Sequence, residues 1–271
     1  MESPRFSEPN LLPALTLLAV EAARAILAVR HAAAARVKPD GSPVTDADVA
    51  AEGIILAGLA RLLPGVPVVA EESGASSDAL GGAFLMVDPL DGTREFVAGR
   101  DEFTVNIALI VERQPVLGVL AAPALGLLWR GAQGVGAERL RFDADGAGAP
   151  SAVRTRAMPA NAPVAFASRS HLDPDTVALL ERMPGSVRHA CGSALKFCRL
   201  AEGAGDLYPR LAPTSEWDVA AGHALLAAAG GSVLTPAGEP LSYGNAQGRF
   251  IVPAFIAWGD PAAAMTRSAH R

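Results

Sequence analysis

The run Phe84-Leu-Met-Val-Asp-Pro-Leu-Asp-Gly-Thr-Arg-Glu-Phe96 constrains the fold of this chain more than any other stretch. Phe84 to Val87 has the length and apolarity of a buried strand, which sets Asp88 at a strand's end, where side chains converge on a crevice. Pro89 biases Asp88 toward an extended backbone and removes one N–H, and Gly92 permits a turn that few other residues can make. The Leu90 carbonyl can then point where the carboxylates of Asp88 and Asp91 point. A short helix from Thr93 to Val97 would turn its free N–H groups toward the same spot. Carboxylates, a carbonyl and a helix start together describe a phosphate held through a hard cation.

Asp-Gly inside a loop is more often a plain turn, so the dipeptide alone decides nothing. Asp88 and Asp91 stand three apart, whereas the Asp-x-Asp-x-Thr aspartyl-phosphate pattern uses the i, i+2 spacing that shares one strand face. Here a turn must bring the two together, and the reading requires further carboxylates elsewhere. Composition narrows the ligand. With a formal net charge of -5 and no block rich in Lys or Arg, nucleic-acid polymers are not expected partners. Small anions stay open if cations are gathered locally or a metal supplies the charge. Half of the 271 residues are hydrophobic, enough for one large or two modest domains. Cys191 and Cys198 show no metal or redox spacing and read as reduced core thiols of a cytoplasmic protein. Leu11 to Val20 is apolar but too short for a transmembrane segment, and the acidic start is unlike a signal peptide. Peripheral membrane contact stays open.

Along the chain, apolar spacing predicts a long helix from about Asn10 to Ala35 and a second from Thr45 to Leu63. Thr45 reads as its N-cap with Asp48 three residues on; spacing alone favours a capping role for Asp48 over a site role. Lys38 falls in the loop between the helices and reads as a solvated charge or a phosphate contact. Val66 to Ala70 is a strand that ends in Glu71, and Ser73 to Gly82 reads as a mobile surface loop. Phe103–Val111, Pro115–Ala121 and Gly126–Arg130 are expected to form an antiparallel sheet. Gly131 to Gly148 is poor in apolar residues, which places a domain boundary near Pro150. That gives an α+β domain over 1–150 and an α/β domain over 151–271. In the second half, Glu216 to Ala229 is a helix whose first turn carries Asp218.

Glu71, Asp88, Asp91 and Asp218 therefore all fall at element ends. Two unit charges 4 Å apart repel by about 4 kcal/mol at an effective dielectric of 20, so their convergence calls for cations, and all-oxygen ligation suits Mg²⁺.

Three segments, Val69-Ala-Glu-Glu-Ser73, Val87-Asp-Pro-Leu-Asp-Gly-Thr93 and Trp217-Asp-Val-Ala-Ala-Gly222, resemble the ordered signatures of the inositol monophosphatase superfamily, most closely its CysQ-type 3'(2'),5'-bisphosphate nucleotidases. Ser42–Asp48, Glu102–Leu109 and Gly192–Cys198 extend the resemblance over nearly the whole chain. It implies an αβαβα layered sugar-phosphatase fold and hydrolysis of a phosphomonoester with two or three Mg²⁺ per site, inhibited by Li⁺. Carried over by position, Glu71, Asp88, Asp91 and Asp218 are metal carboxylates, the Leu90 carbonyl is a further ligand, and Glu71 also belongs to the catalytic set. Thr93 paired with Asp48 orients the attacking water, and Gly92 and Thr93 offer N–H groups to the scissile phosphate.

The resemblance also bears on substrate. Where inositol monophosphatases carry an acidic residue before the last Asp, Tyr208-Pro-Arg210 offers a guanidinium suited to a second phosphate. His171, Ser193 and Lys196 occupy positions that hold the nucleotide's other phosphate in the nucleotidase branch. Singly each has a plain alternative, as a helix-entry residue, a cap or solvated charges. Together they imply adenosine 3',5'-bisphosphate as substrate, the by-product of sulfate activation and sulfo-group transfer. The alternatives are an inositol or fructose-bisphosphate phosphatase of the same superfamily and, from another class, a non-catalytic sensor of nucleotide bisphosphate. A monomer and a homodimer are both compatible with the sequence.

Overall fold

The computed structural model describes residues 11–39, 41–75, 80–144 and 146–268. Expectations that touch Asn10, Asp40 or positions 76–79 of the 73–82 loop lie outside these residues.

Helix α1 (Leu11–Val29) leads into a hairpin of β1 (Ala35–Val37) and β2 (Pro43–Thr45), then α2 (Asp46–Leu62), β3 (Val68–Ala70), β4 (Gly74–Ala75) and β5 (Ala83–Asp91). After α3 (Thr93–Val97) come β6 (Thr104–Val111), β7 (Gln114–Ala122), β8 (Leu127–Ala132), β9 (Gly136–Arg141) and β10 (Ser151–Val153). The remainder runs β11 (Val164–Ser168), α4 (Pro174–Glu181), β12 (Val187–Cys191), α5 (Leu195–Ala201), β13 (Leu207–Arg210), β14 (Thr214–Ser215) and α6 (Trp217–Ala228). It closes with β15 (Ser232–Leu234), β16 (Ile251–Val252), β17 (Phe255–Trp258) and α7 (Pro261–Ser268).

These elements stack as α, β, α, β, α. An eight-stranded sheet in the order β10-β9-β8-β7-β6-β5-β3-β4 and a five-stranded sheet in the order β12-β11-β13-β17-β15 are the two β layers. Strand β5 shows why its sequence is continuously apolar. Leu85 and Val87 face the core shared with α1 and α2, while Phe84 and Met86 face the core shared with α5 and α6. Alternate side chains point to opposite faces, and here both faces are covered. A third core, with Leu180, Met183 and Ile256, lies beneath α4 and α7.

The first helix stops at Val29 rather than near Ala35, and the chain then enters the hairpin; just past the helix end the Arg30 guanidinium meets the Asp101 carboxylate at 2.6 Å and the Arg100 carbonyl at 3.0 Å. Although α1 is long and apolar enough to cross a membrane, half of its apolar window is buried in the protein, where Leu15, Ala19, Ala22 and Ile26 pack into the core. The segment 131–148, poor in apolar residues, nevertheless contains β9, and β10 pairs with β9 at the edge of the sheet. Ala137 and Leu140 are buried on β9, and Arg130 and Glu138 pair across the strands at 2.8 Å. The turn at 133–135 and the Gly- and Asp-rich sequence after Phe142 dilute the apolar content that would have marked the strand.

Candidate active site

Strands β3 and β5 run parallel, with Ala70 opposite Val87. The Glu71 N–H donates to the Val87 carbonyl at 3.1 Å, so Glu71 and Asp88 leave the sheet side by side at its carboxyl edge. Asp88 is buried, and its Oδ1 accepts the Leu90 N–H at 3.0 Å. Between Asp88 and Asp91 the register against β6 shifts, a local irregularity centred on Pro89 that re-aims Asp91. Asp91 Oδ2 accepts the Ala194 N–H at 2.5 Å. Gly92 follows with φ of 94°, and a Cβ there would lie 2.9 Å from the Glu102 carbonyl oxygen. No other residue fits that corner without strain.

Thr93 begins α3, and its Oγ1 is 3.1 Å from both Asp48 Oδ1 and the Leu90 carbonyl oxygen. Asp48 is fully buried; its Oδ2 accepts the Thr45 N–H at 2.8 Å and the Thr45 hydroxyl at 2.6 Å. The capping box is therefore real, and the same carboxylate uses its other oxygen on Thr93. Asp218 arrives from the first turn of α6, where its Oδ2 accepts the Thr214 hydroxyl and, at 3.3 Å, the Ser215 N–H. That helix lies so close to β7 that a Cβ on Gly118 would sit 2.2 Å from the Ala221 carbonyl oxygen.

One cleft of about 540 Å³ brings these groups together: Glu71, Asp88, Leu90, Asp91, Gly92, Thr93 and Asp218 line it, with Asp48 behind Thr93. His171, Ser193, Lys196 and Arg210 line the same cleft. Burial, then the charge of Asp218, pushes Glu71 up to about 7 despite its bond to Lys38. Burial and Asp218 likewise push Asp91 up to about 7, against the pull of Lys196 and the Ala194 N–H. Asp88 is held well above the usual carboxylate range by burial, followed by the charges of Glu71, Asp91 and Asp218. These carboxylates repel one another in a partly buried crevice, and their donor set is all oxygen, which fits a hard divalent cation.

Among the described residues no three acidic, imidazole or thiol groups make a finished ligand cluster. The oxygens of Asp91 and Asp218 are turned to protein donors, and Glu71 to an ammonium. Lys38 reaches from the hairpin to Glu71 at 2.9 Å and Glu72 at 2.7 Å. Burial opposes the Lys38 charge, but bonds to Glu72 and Glu71 outweigh it and raise its pKa. The sequence placed Lys38 near a phosphate or in solvent; nothing local marks an ion pair across 33 positions.

The cationic part of the cleft is equally specific. Lys196 is buried, donating to the Ser193 carbonyl at 2.5 Å and lying 4.8 Å from the centre of the Tyr208 ring. Arg210 gives Nη2 to the Pro213 carbonyl at 3.2 Å, while its buried Nε has no acceptor. Ser193 sits at φ of 49° and accepts the Leu195 N–H at 3.2 Å. The His171 ring has its pKa lowered by burial, then by the charges of Arg210 and Arg94. Arg94, Thr214, Ser215, Trp217 and Ile251 also line the cleft and escaped the sequence reading as site residues. Arg94 stands one position from Thr93 and Trp217 one from Asp218, and those neighbourhoods were the available signal.

Compared with known proteins, residues 10–270 match the inositol monophosphatase family. The chain belongs to that family. Among its relatives, the 3'(2'),5'-bisphosphate nucleotidase CysQ of Escherichia coli strain K12 is 41% identical over 220 residues, covering 80% of this chain and 86% of that one. The protein of that name from Haemophilus influenzae is 31% identical and covers 82% of each. Among solved structures, CysQ from Bacteroides thetaiotaomicron aligns with a TM-score of 0.77 at 34% identity, over 91% of this chain and 96% of that one. An inositol monophosphatase from Anabaena aligns at 0.75 with 24% identity, which speaks to the fold alone.

Proposed function

We propose that the chain is a Mg²⁺-dependent 3'(2'),5'-bisphosphate nucleotidase that removes the 3'-phosphate of adenosine 3',5'-bisphosphate, giving AMP and phosphate. The observation that carries this reading is a single cleft in which four carboxylates lie together with Lys196, His171 and an Arg210 guanidinium whose buried Nε lacks an acceptor. Identity of 41% to a curated bisphosphate nucleotidase supports it. A plain monophosphate would use the carboxylate groups and leave the cations idle.

Glu71, Asp88, Asp91, Asp218 and the Leu90 carbonyl would hold the metal, which when bound supplies Lewis acidity toward the attacking water and the leaving oxygen. Asp48 accepts the Thr93 hydroxyl hydrogen, so the lone pairs of Thr93 Oγ1 face the cleft and orient water for in-line attack. Glu71, which leaves the sheet beside Asp88, is suited to accept a hydrogen bond from that water. The N–H groups of Gly92 and Thr93 serve the scissile phosphate. Arg210, Lys196, His171 and Ser193 hold the second phosphate, Arg210 through a charge-assisted fork. Li⁺ inhibits by competing for one cation position. Two free, buried thiols suit a cytoplasmic enzyme that clears the by-product of sulfate activation.

The test is phosphate release from adenosine 3',5'-bisphosphate, AMP, inositol 1-phosphate and fructose 1,6-bisphosphate, with Mg²⁺ and with chelator. Strong preference for the first, abolished by chelator, is expected. Preference for inositol 1-phosphate would overturn the substrate assignment, and binding without turnover would make the protein a sensor.

A further inference from the structure

The polar groups of the cleft account for two phosphates and leave one surface unexplained. Of its apolar lining residues, Leu90, Ala194 and Tyr208 are buried and Pro43 lies across the cleft on β2, but Ile251 is 39% exposed, Pro213 is exposed and Trp217 is half-buried, packed on one side against the core. These three are not scattered. Strand β16 pairs with β14 so that Ile251 stands opposite Ser215, and the Trp217 ring lies 6.3 Å from that of Phe250. This wall adjoins both ends of the site. Trp217 precedes Asp218, and the Pro213 carbonyl accepts Arg210.

The wall is held by a buried carboxylate that the proposed chemistry does not use. Glu216 is 1% exposed, and its two oxygens accept the Gly244 N–H at 2.5 Å and the Asn245 N–H at 3.1 Å. Its own N–H donates to the Phe250 carbonyl at 2.7 Å. Glu216 thus ties both ends of the 244–250 loop to the start of α6. That loop needs tying, because Arg249 and Phe250 are successive non-glycine residues at φ of 55°. Such a pair persists only where surrounding contacts over-determine it. Removing the clamp would release Phe250, and with it Ile251.

We propose that Trp217 and Ile251 form the face on which the nucleobase of the substrate lies, with Glu216 as the residue that positions that face. The proposal rests on the reading of the chain as a nucleotidase. A base offers a flat, weakly polar π-face, which stacks on an indole and packs on an aliphatic side chain without any hydrogen-bond code.

Two measurements test it. Trp217 is the one tryptophan lining the cleft, since Trp129 and Trp258 are buried in the cores. In chelator, tryptophan emission is titrated with AMP and with ribose 5-phosphate. AMP is expected to change the emission and the abasic sugar phosphate is not; Trp217→Phe abolishes the response, and Ile251→Asp, at an exposed position, weakens AMP binding about tenfold. The second measurement is the ratio of kcat/KM for adenosine 3',5'-bisphosphate to that for 1-O-methylribofuranose 3,5-bisphosphate. The ratio is expected to be well above ten in the unmodified protein and to fall about tenfold in Ile251→Asp and in Glu216→Gln, through KM more than kcat. Equal emission responses to the two ligands, or a ratio near one, would overturn the proposal while leaving the nucleotidase reading intact. Hydrolysis of neither bisphosphate would overturn the nucleotidase reading, and the emission titration would still decide whether the wall takes a base.

Discussion

Asp48 divides its two oxygens between the cap of α2 and the Thr93 hydroxyl. Oδ2 completes the cap of α2 and Oδ1 fixes the Thr93 hydroxyl, so substitutions can separate the roles. Thr45→Ala removes the cap partner and is expected to lower stability by about 1 kcal/mol with a far smaller effect on turnover. Asp48→Asn keeps the shape but weakens the acceptor on Thr93, and kcat is expected to fall roughly 10²-fold, because the hydroxyl that orients the attacking water loses its fixed direction. Urea titration and kcat, measured on both variants, check the division; equal kcat losses would mean that the cap geometry alone matters. At the other end of the cleft, Arg210→Glu replaces a partly unpaired guanidinium with a like charge facing phosphate. A charge-assisted hydrogen bond contributes about 1.5–3 kcal/mol, so KM for adenosine 3',5'-bisphosphate should rise at least about tenfold, and that for a plain monophosphate much less. Equal rises for both substrates would remove Arg210 from the second-phosphate role.

At the scale of elements, the corner between β5 and α3 sets the geometry, and Gly92 is its hinge point. Its φ of 94° lies in the left-handed half of the map, and a side chain would meet the Glu102 carbonyl oxygen at 2.9 Å and Ser193 Cβ at 3.3 Å. Gly92→Ala is expected to cost about 2 kcal/mol or more in stability, and to move Thr93 enough to reduce turnover, measured by urea titration and kcat side by side. This corner was readable because each part has a local signature: an apolar run, Pro89 after Asp88, and Gly92 before Thr93. The position of Asp218 was readable for the same reason, as the first turn of a well-marked helix. Strand β9 was not, because its Ala137 and Leu140 sit among turn residues on both sides and its strand character comes from pairing with β8. Lys38 was illegible too, since its ion pairs with Glu71 and Glu72 exist only once the hairpin folds over the end of β3. Glu216 reads in sequence as one more acid at a helix start, and only the burial of its carboxylate against the 244–250 loop distinguishes it.

For the molecule as a whole, the carboxylate crevice makes stability depend on pH and on metal together. Glu71 and Asp91 are each pushed up to about 7, by burial and then by the charge of Asp218. A carboxyl group with a raised folded-state pKa holds its proton in the folded protein after the unfolded chain has released it. The stability this contributes is present in acid and is lost as pH rises from about 4.5 toward 7, on the order of a few kcal/mol for the coupled set. His223 acts in the opposite direction. Burial lowers its pKa to about 4 while Nδ1 lies 2.9 Å from the Tyr243 hydroxyl, so folding disfavours its protonation and stability is lost as pH falls from 6.5 toward 4. A melting curve of the metal-free protein alone would therefore mix two slopes of opposite sign. The difference between Tm with excess Mg²⁺ and Tm in chelator cancels the His223 contribution, which is the same in both. Cation binding requires deprotonated carboxylates, so the proton competes with the metal, and the Mg²⁺-induced rise in Tm should grow from pH 5 to pH 8, most steeply near 7. His223→Gln should leave that growth in place while flattening the acid side of the chelator curve. A metal-induced rise in Tm that reaches its full size by pH 5 would show carboxylates titrating in their ordinary range, and hence a crevice more open to water than the burial of Asp88 implies.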